Sequence, residues 1–393
     1  MDLATFEWLL TEDGAQLLAE AASLQSSGAD ALAAGEALRR RATPERAAAA
    51  WTQIGLRAKA STKFGDLAPR LFFTPDGLEQ ATRRRVAAHR AGRAAAFGAR
   101  TVIDLGCGIG GDLIASAEAG LICAGVDLDP VRVAVARANL AALGLAGAVQ
   151  VADATEIDRR AFELAFADPA RRTGAGRTFR VEDWTPPWSW VTEVLTGDAC
   201  VKVAPGIPHD LVPRGVEAEW VSEAGEVKEA ALWSGRTATV ARRATVIGTG
   251  GLATLTEDDD PGPAAVDTRA VAPGDHLYEP DGAVIRAGLV TAVAAGVEGA
   301  LLDEKIAYVV SERAFVTPFA RGYRVVEQLP FREKQLRAAL RERGIGRLTI
   351  KKRGVEVVPE ELRRRLGLRG DGEATVVLTR VGGDGTALLV EPH

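Results

Sequence analysis

The spacing of apolar side chains changes character along the chain. Over residues 1–72, Leu9, Leu10, Leu17 and Leu18, then Leu32 and Leu38, recur at helix-compatible intervals in an Ala-rich background, which predicts a helical segment. Within it, Thr43-Pro44-Glu45-Arg46 offers a capping hydroxyl followed by proline at the first helical position. From Ala99 short apolar runs take over. They predict strands at 101–105, 122–126, 148–151 and 164–167, with helices ending near Ala119 and spanning 130–143 between the first of them. Buried strands alternating with helices predict a parallel, doubly wound α/β sheet. Further runs at 199–203, 216–221 and 229–233 can complete it.

The acidic, proline-rich stretch Glu257-Asp258-Asp259-Asp260-Pro261-Gly262-Pro263 marks a boundary. The last 73 residues mix both patterns again. A strand over 323–328 leads to a helix over 331–343, where Leu336 and Leu340 share a face. A strand over 347–352 alternates Leu348 and Ile350 inward with Thr349 and Lys351 outward. A helix from Pro359 and strands at 375–380 and 387–390 finish a small α+β module. The expected division is a helical segment over 1–72, an α/β domain over 73–260, a connecting segment over 261–320 and the α+β module over 321–393.

A chain of 393 residues holds two to three domains at roughly 150 residues each. Hydrophobic residues at 47% and charged residues at 26% exclude wholesale disorder. No apolar run approaches the ~20 residues that cross a bilayer, and the stretch 289–302 is broken by Glu298 and glycines. No basic residue precedes Arg39, unlike a signal peptide, so the expected location is cytoplasmic with no membrane partner. Three cysteines and four histidines lie scattered, without the spacing of a disulfide framework or a zinc site, so no metal is expected. Net charge is −5, but from Arg321 onward 16 Lys and Arg face 10 Asp and Glu, a net of +6 against −11 for the rest. A basic tail on an acidic body suggests either a local anionic partner or a solvated arginine-rich face.

The turn Gly106-Cys107-Gly108-Ile109-Gly110-Gly111 follows the first α/β strand. It satisfies G-x-G-x-x-G through Gly106, Gly108 and Gly111, which alone leaves a dinucleotide open. Three acids favour a different ligand. Asp104, at the strand end, repels a diphosphate but suits an ammonium group. Asp127, ending the second strand, can accept two ribose hydroxyls, and Asp153, ending the third, an adenine amino group. Here the chain resembles the class I S-adenosylmethionine (SAM)-dependent methyltransferases. Val102-Ile103-Asp104-Leu105-Gly106-Cys107-Gly108-Ile109-Gly110 is similar to their first motif, and Gly125-Val126-Asp127-Leu128-Asp129-Pro130 to their second. With Phe73-Thr74-Pro75 upstream, the stretch is also similar to the RNA cap trimethylguanosine synthases. The resemblance implies a Rossmann-like methyltransferase sheet, with SAM held by Asp104, Gly106, Gly108, Gly110, Asp127, Asp153 and Thr74.

Asp168-Pro169-Ala170-Arg171-Arg172 follows the fourth strand. In the amino-methyltransferases that it resembles, this place holds an acid or amide, two prolines and an aromatic residue. There the acid and the first prolyl carbonyl accept from the target amine while the aromatic stacks on the base. The resemblance therefore implies orienting roles for Asp168 and Pro169. Ala170 and Arg171 depart from the pattern, although a guanidinium can stack on a base or, like Arg172, grip a phosphate. Together with Lys202-Val203-Ala204-Pro205-Gly206, Lys228-Glu229 and Leu277-Tyr278-Glu279-Pro280, this segment resembles bacterial methyltransferases with a C-terminal THUMP-like domain. Lys202 can neutralise a phosphate or pair with a carboxylate, and Tyr278 can close a pocket or pack in a core. Trp184, Trp188 and Trp190 can stack bases or pack on the sheet.

THUMP domains bind RNA, so the resemblance implies a structured RNA partner. In this module Lys351-Lys352-Arg353 ends a strand, Arg363-Arg364-Arg365 lies on a short helix, and Arg332, Arg337 and Arg341 line the helix before them. Such clusters neutralise phosphates. The expectation is a SAM-dependent methyltransferase acting on RNA at a base nitrogen. Its rivals are a protein or small-molecule methyltransferase, a non-catalytic SAM- or RNA-binding module, and an NAD-binding oxidoreductase for which no hydride-transfer constellation exists.

Overall fold

The computed structural model describes residues 1–171 and 184–393, without the side chains of 170 and 171. The chain forms two compact units, Met1–Glu217 with Ala230–Thr239, and Ala218–Glu229 with Val240–His393.

The first unit opens with helices α1 (Leu3–Leu9), α2 (Glu12–Ser26), α3 (Ala31–Arg39) and α4 (Pro44–Phe64). Each starts on a capping oxygen, from Asp2, Thr11, Asp30 and Thr43, that accepts an otherwise orphaned backbone N–H. Leu9, Leu17, Leu18, Leu38 and Ile54 bury one face of this bundle. Phe6, Leu56 and Phe64 instead enter the same core as Phe73, Ile109, Leu113 and Val135. The helices are therefore packed into the α/β layer rather than standing apart from it.

Next come α5 (Pro75–Gln80), α6 (Arg84–Ala96), β1 (Thr101–Leu105), α7 (Gly111–Glu118), β2 (Ile122–Asp127), α8 (Pro130–Leu143), β3 (Ala148–Val151) and β4 (Leu164–Ala167). A two-residue ribbon of β5 (Ala170–Arg171) and β6 (Trp184–Thr185) precedes α9 (Trp188–Val194) and β7 (Ala199–Val203). Strands β3, β2, β1, β4 and β7 pair in that order and run parallel. The 230–234 stretch of a later strand pairs antiparallel with β7. This is the expected doubly wound sheet, and it brings the carboxyl ends of β1–β4 to one edge, where such sheets bind ligands.

Two buried amides pin the chain that enters this sheet. Asn139, on α8 and 1% exposed, donates to the carbonyls of Phe72 (3.0 Å) and Ile109 (2.9 Å) and accepts from the Phe72 N–H (2.7 Å). Gln53, on α4, exchanges hydrogen bonds with both backbone groups of Phe73. One extended segment is thus tied to the bundle, to α8 and to the glycine-rich turn. That turn needs positive φ at Gly106 (99°), Gly108 (54°) and Gly110 (83°). At Gly110 a Cβ would also stand 3.1 Å from Ala136 of α8.

The second unit begins in β8 (Glu217–Glu223) and β9 (Glu226–Ser234) and continues with β10 (Arg242–Gly248) and β11 (Gly251–Thr256). It then builds β12 (His276–Pro280), α10 (Gly282–Ala287), α11 (Val290–Gly296), β13 (Ala300–Asp303), β14 (Ile306–Ser311) and β15 (Ala320–Leu329). Helix α12 (Glu333–Glu342), β16 (Ile345–Lys352), α13 (Pro359–Leu366), β17 (Gly372–Val381) and β18 (Asp384–Pro392) follow. Seven strands form a sheet in the order β13-β14-β12-β15-β18-β17-β16. Residues 261–320, expected as a connector, thus supply β12, β13 and β14 to the same sheet as the terminal module.

Leu348 and Ile350 pack with Leu336, Leu340, Leu362 and Leu366 beneath α12 and α13. Lys351 faces the other way, but it is half-buried and lies 2.6 Å from Glu279. Its strand is four places from β12, about 19 Å in a flat sheet, so the sheet must curl strongly. Leu277, Tyr308, Tyr323, Val377 and Leu388 fill the concave side.

Asn139→Ala removes three buried hydrogen bonds. At about 1 kcal/mol each this costs about 3 kcal/mol, and calorimetry should show a fall of about 6–12 °C in the midpoint of the first unit. An unchanged midpoint would refute the clamp.

Candidate active site

A cavity of about 570 Å³ opens at the carboxyl ends of β1–β4. Asp104, Gly106, Gly108, Asp127, Asp153, Asp168 and Pro169 all line it. The expected site residues thus converge from four strand ends.

Asp104 is 3% exposed, and neither of its carboxylate oxygens has a hydrogen-bond partner. Burial pushes its carboxyl well above the usual range, Asp112 and Asp168 add to the effect, and Arg90 opposes it. A buried carboxylate without a partner is costly unless a cation joins it. The ammonium of a methionyl group is such a cation, so this acid fits SAM and disfavours a diphosphate.

Asp127 accepts the Gly108 N–H on Oδ2 and the Asp129 N–H on Oδ1, both at 2.9 Å. It therefore shapes the glycine-rich turn, and each oxygen retains a lone pair for a ribose hydroxyl. Asp153 accepts from the Thr155 N–H (2.8 Å) and hydroxyl (2.7 Å), both on Oδ1. Those bonds hold its carboxyl below the usual range. Leu128, 69% exposed, follows Asp127 on the cavity wall. It offers an apolar surface suited to a purine. The sequence reading passed over it, although an apolar residue directly after a strand-end acid was a visible signal.

Gly110 and Thr74 do not line this cavity. Gly110 serves the approach of α8. Thr74 caps α5, accepting the Gly77 N–H at 3.0 Å, and borders a separate cavity of about 600 Å³ with Gln53 and Asp76. Its neighbour Gly77 does reach the cofactor cavity, and a Cβ there would collide with Ile109 of the glycine-rich turn. The Cys107 thiol also lines the cavity, but burial and then Asp104 push its pKa far up, so it is no nucleophile.

On the acceptor side, Lys202 of β7 lies 2.5 Å from Asp168 Oδ2 and donates to Thr82 Oγ1 at 3.2 Å. Of the two roles open to this lysine, phosphate neutraliser or carboxylate partner, the structure has the second. The Arg171 side chain and the whole of Arg172 fall outside the described residues. Trp184 and Trp190 are buried, at 4% and 7% exposure, so they pack rather than present a stacking platform. Thr185, Pro186 and Pro187 wall the cavity beside Asp168.

Lys351, Lys352 and Arg353 belong to the second unit. Burial disfavours the Lys351 charge, but hydrogen bonds to Glu279 and Tyr323 outweigh it and raise its pKa. Arg353 lies over the Tyr308 ring at 5.6 Å, and Lys352 is exposed. Tyr278 is fully buried, its hydroxyl bonded to the backbone at Arg313 and Phe315. Among the described residues no cluster of three His, Cys, Asp or Glu side chains is placed to hold a metal, and no helix is long and apolar enough to cross a membrane.

Comparison with known proteins adds independent findings. Residues 102–170 match a family model described as a methyltransferase domain, 320–392 one described as THUMP domain-like, and 2–60 a domain of unknown function. The chain is 41% identical over 340 residues to an uncharacterized S-adenosylmethionine-dependent methyltransferase of Mycobacterium tuberculosis, covering 83% of this chain and 91% of that one. A crystal structure from Porphyromonas gingivalis, described as a methyltransferase, matches with a TM-score of 0.73 at 24% identity, covering 89% of this chain and 91% of that one. This last likeness is one of fold.

Asp104→Asn should weaken SAM binding about 10- to 100-fold, the worth of a hydrogen bond to a charged group. The raised pKa sets the sign of the pH effect. Lowering the pH protonates Asp104 and weakens binding of a cation, so wild-type affinity should rise with pH and the variant should lose that dependence. Without SAM, the ionised acid burdens the folded state as pH rises above 3.8. Calorimetric titration that finds equal affinities for the two proteins would remove Asp104 from the site.

Proposed function

The chain belongs to the S-adenosylmethionine-dependent methyltransferases, and we propose that it methylates RNA at a base nitrogen. The observation that carries the acceptor chemistry is the placement of Asp168 and Pro169 on the wall of the cavity that Asp104 enters. When bound, SAM supplies an electrophilic methyl group on a sulfonium centre. The protein's task is then orientation and exclusion of water. Asp168 accepts an N–H of the target amine, which aims the nitrogen lone pair at the methyl carbon. Lys202 holds Oδ2 of that carboxylate and leaves Oδ1 for the acceptor. Phe166, Pro169 and Pro186 give apolar walls, and the amine proton leaves to solvent once the new bond has formed.

Support for RNA comes from the THUMP-like match and from the positive charge concentrated there. One observation favours a second reading, methylation of a protein or small molecule. Much of that charge is consumed internally: Arg337 and Arg365 pair with Glu333, Arg343 with Glu327 and Lys351 with Glu279.

The test incubates purified protein with methyl-labelled SAM and separates RNA, protein and metabolite fractions from cells lacking the gene. Label should enter RNA, and nucleoside mass spectrometry should place it on a base nitrogen. Asp168→Ala should reduce turnover by about 100-fold or more while SAM still binds. Label confined to protein or metabolites would sink the RNA reading.

Lys202→Met should lower turnover about 10- to 100-fold, again with SAM affinity unchanged, and Lys202→Arg should restore part of it. A Lys202→Met enzyme that turns over normally would show that Asp168 needs no such partner.

A further inference from the structure

A cavity of about 730 Å³ lies in the second unit, remote in sequence from the methylation motifs. Its walls come from four places: the β13–β14 hairpin with Asp303, Glu304 and Lys305, the β17–β18 turn with Arg380, Gly382 and Gly383, Gly354 just after β16, and residues 268–270. A Cβ on Gly354 would meet Ile306, so the end of β16 abuts β14 and closes one side. Gly382 and Gly383, with φ of 57° and 90°, make a two-residue turn that sets bare backbone at the wall.

Several basic side chains of this unit are spent on neighbouring elements. Arg341 and Arg363 donate to the carbonyls of Gly367 and Leu348, and Arg337, Arg343, Arg347 and Arg365 are ion-paired. These hold helices and strands together. Lys305 and Arg380 are exposed, and among the described residues neither side chain has a hydrogen bond or ion pair. Both line the cavity. Arg269 lines it too, fixed by Asp275 at 2.9 Å and Glu312 at 3.2 Å. Of the acids there, Asp303 uses Oδ1 on the Lys305 N–H, and Glu304 is exposed. Lys305 and Arg380 are the cations there that keep donors to spare, and with the bare Gly382-Gly383 backbone beside them, in a volume that suits a nucleotide, they favour an anionic group. The Lys351-Lys352-Arg353 run ends at this wall, with exposed Lys352 two residues before Gly354.

We propose that this cavity binds a phosphate-bearing ligand, a phosphodiester of the RNA substrate, through Lys305 and Arg380. The RNA source rests on the reading above, whereas the anion site rests on the cavity itself. The experiment uses the full chain and a fluorescein-labelled single-stranded RNA oligonucleotide, with AMP as competitor, read by anisotropy over a salt series. The Lys305→Glu/Arg380→Glu variant should lose at least about tenfold in affinity, and the milder Lys305→Gln/Arg380→Gln variant less. Two lost phosphate contacts should flatten the log–log salt slope by about 1.4. SAM affinity and the thermal midpoint should stay unchanged. Arg364→Glu, which removes an arginine of α13 outside the cavity wall, should lose less than the double variants.

Failure of AMP to compete identifies the RNA backbone as the source, and competition that the double variant abolishes identifies a free nucleotide phosphate. Wild-type affinity and salt slope in both double variants would overturn the proposal while leaving RNA methylation standing. If wild-type protein binds no RNA, the RNA reading falls. The cavity is then supported only by AMP binding that the double variant loses, and absence of that binding overturns it.

Discussion

A carboxylate buried at the end of the central strand, with neither oxygen satisfied, is the constraint around which the first unit is arranged. Asp104 cannot be solvated where it stands, and its neighbours Asp112 and Asp168 make the local field more negative. Arg90 relieves part of it, but that guanidinium is shared with Asp112 and lies over the Phe166 ring at 4.4 Å. A cation in the cavity would relieve the rest. The glycine-rich turn leaves room for one because Gly106 and Gly108 have no side chain to fill the space. Asp127 keeps that turn in place by accepting its backbone N–H. An unsatisfied buried acid persists only where surrounding structure holds it in place. Here the Asn139 and Gln53 clamps supply that rigidity from outside the sheet.

The same logic separates the two acids that could be confused. Neither Asp104 oxygen has a hydrogen-bond partner, whereas Asp168 is paired with Lys202. An acid matched to a lysine keeps its orientation and presents one oxygen, which suits a hydrogen-bond acceptor aiming an amine. Two carboxylates on one cavity thus suit different tasks because their surroundings differ, not because of their type. Thr82, 7% exposed and bonded to the lysine, extends this arrangement to the segment between α5 and α6.

What the sequence made legible follows the range of the forces involved. The parallel sheet, the glycine-rich turn and the acids at strand ends are local signals, and the structure gathers them on one cavity. Signals that depend on distant partners were not legible. Residues 276–280 and 300–311 read as a connector because each strand is short and its hydrogen bonds lie with β15 or with one another. Lys351 read as solvent-facing because alternation gives its side of the strand but not the curl that delivers Glu279. Thr74 adjoins a motif by sequence yet spends its hydroxyl on its own helix. Lys202 was open to two readings, and only the register of β7 beside β4 brings it to a carboxylate.

The basic module shows why counting charge is a poor guide to binding. A net of +6 over the last 73 residues suggests a broad cationic footprint, but a guanidinium bonded to a carboxylate contributes little field and has few donors to spare. Arg337 and Arg341 cross from α12 to the carbonyls of Arg365 and Gly367, where α13 ends and its dipole is negative. Their charge is structural. Affinity for a polyanion then depends on the cations left over and on whether the fold collects them. An arginine-rich helix that is spent on its neighbours can have a strong positive signature in sequence and still leave recognition to residues such as Lys305 and Arg380, which no cluster in the sequence singles out.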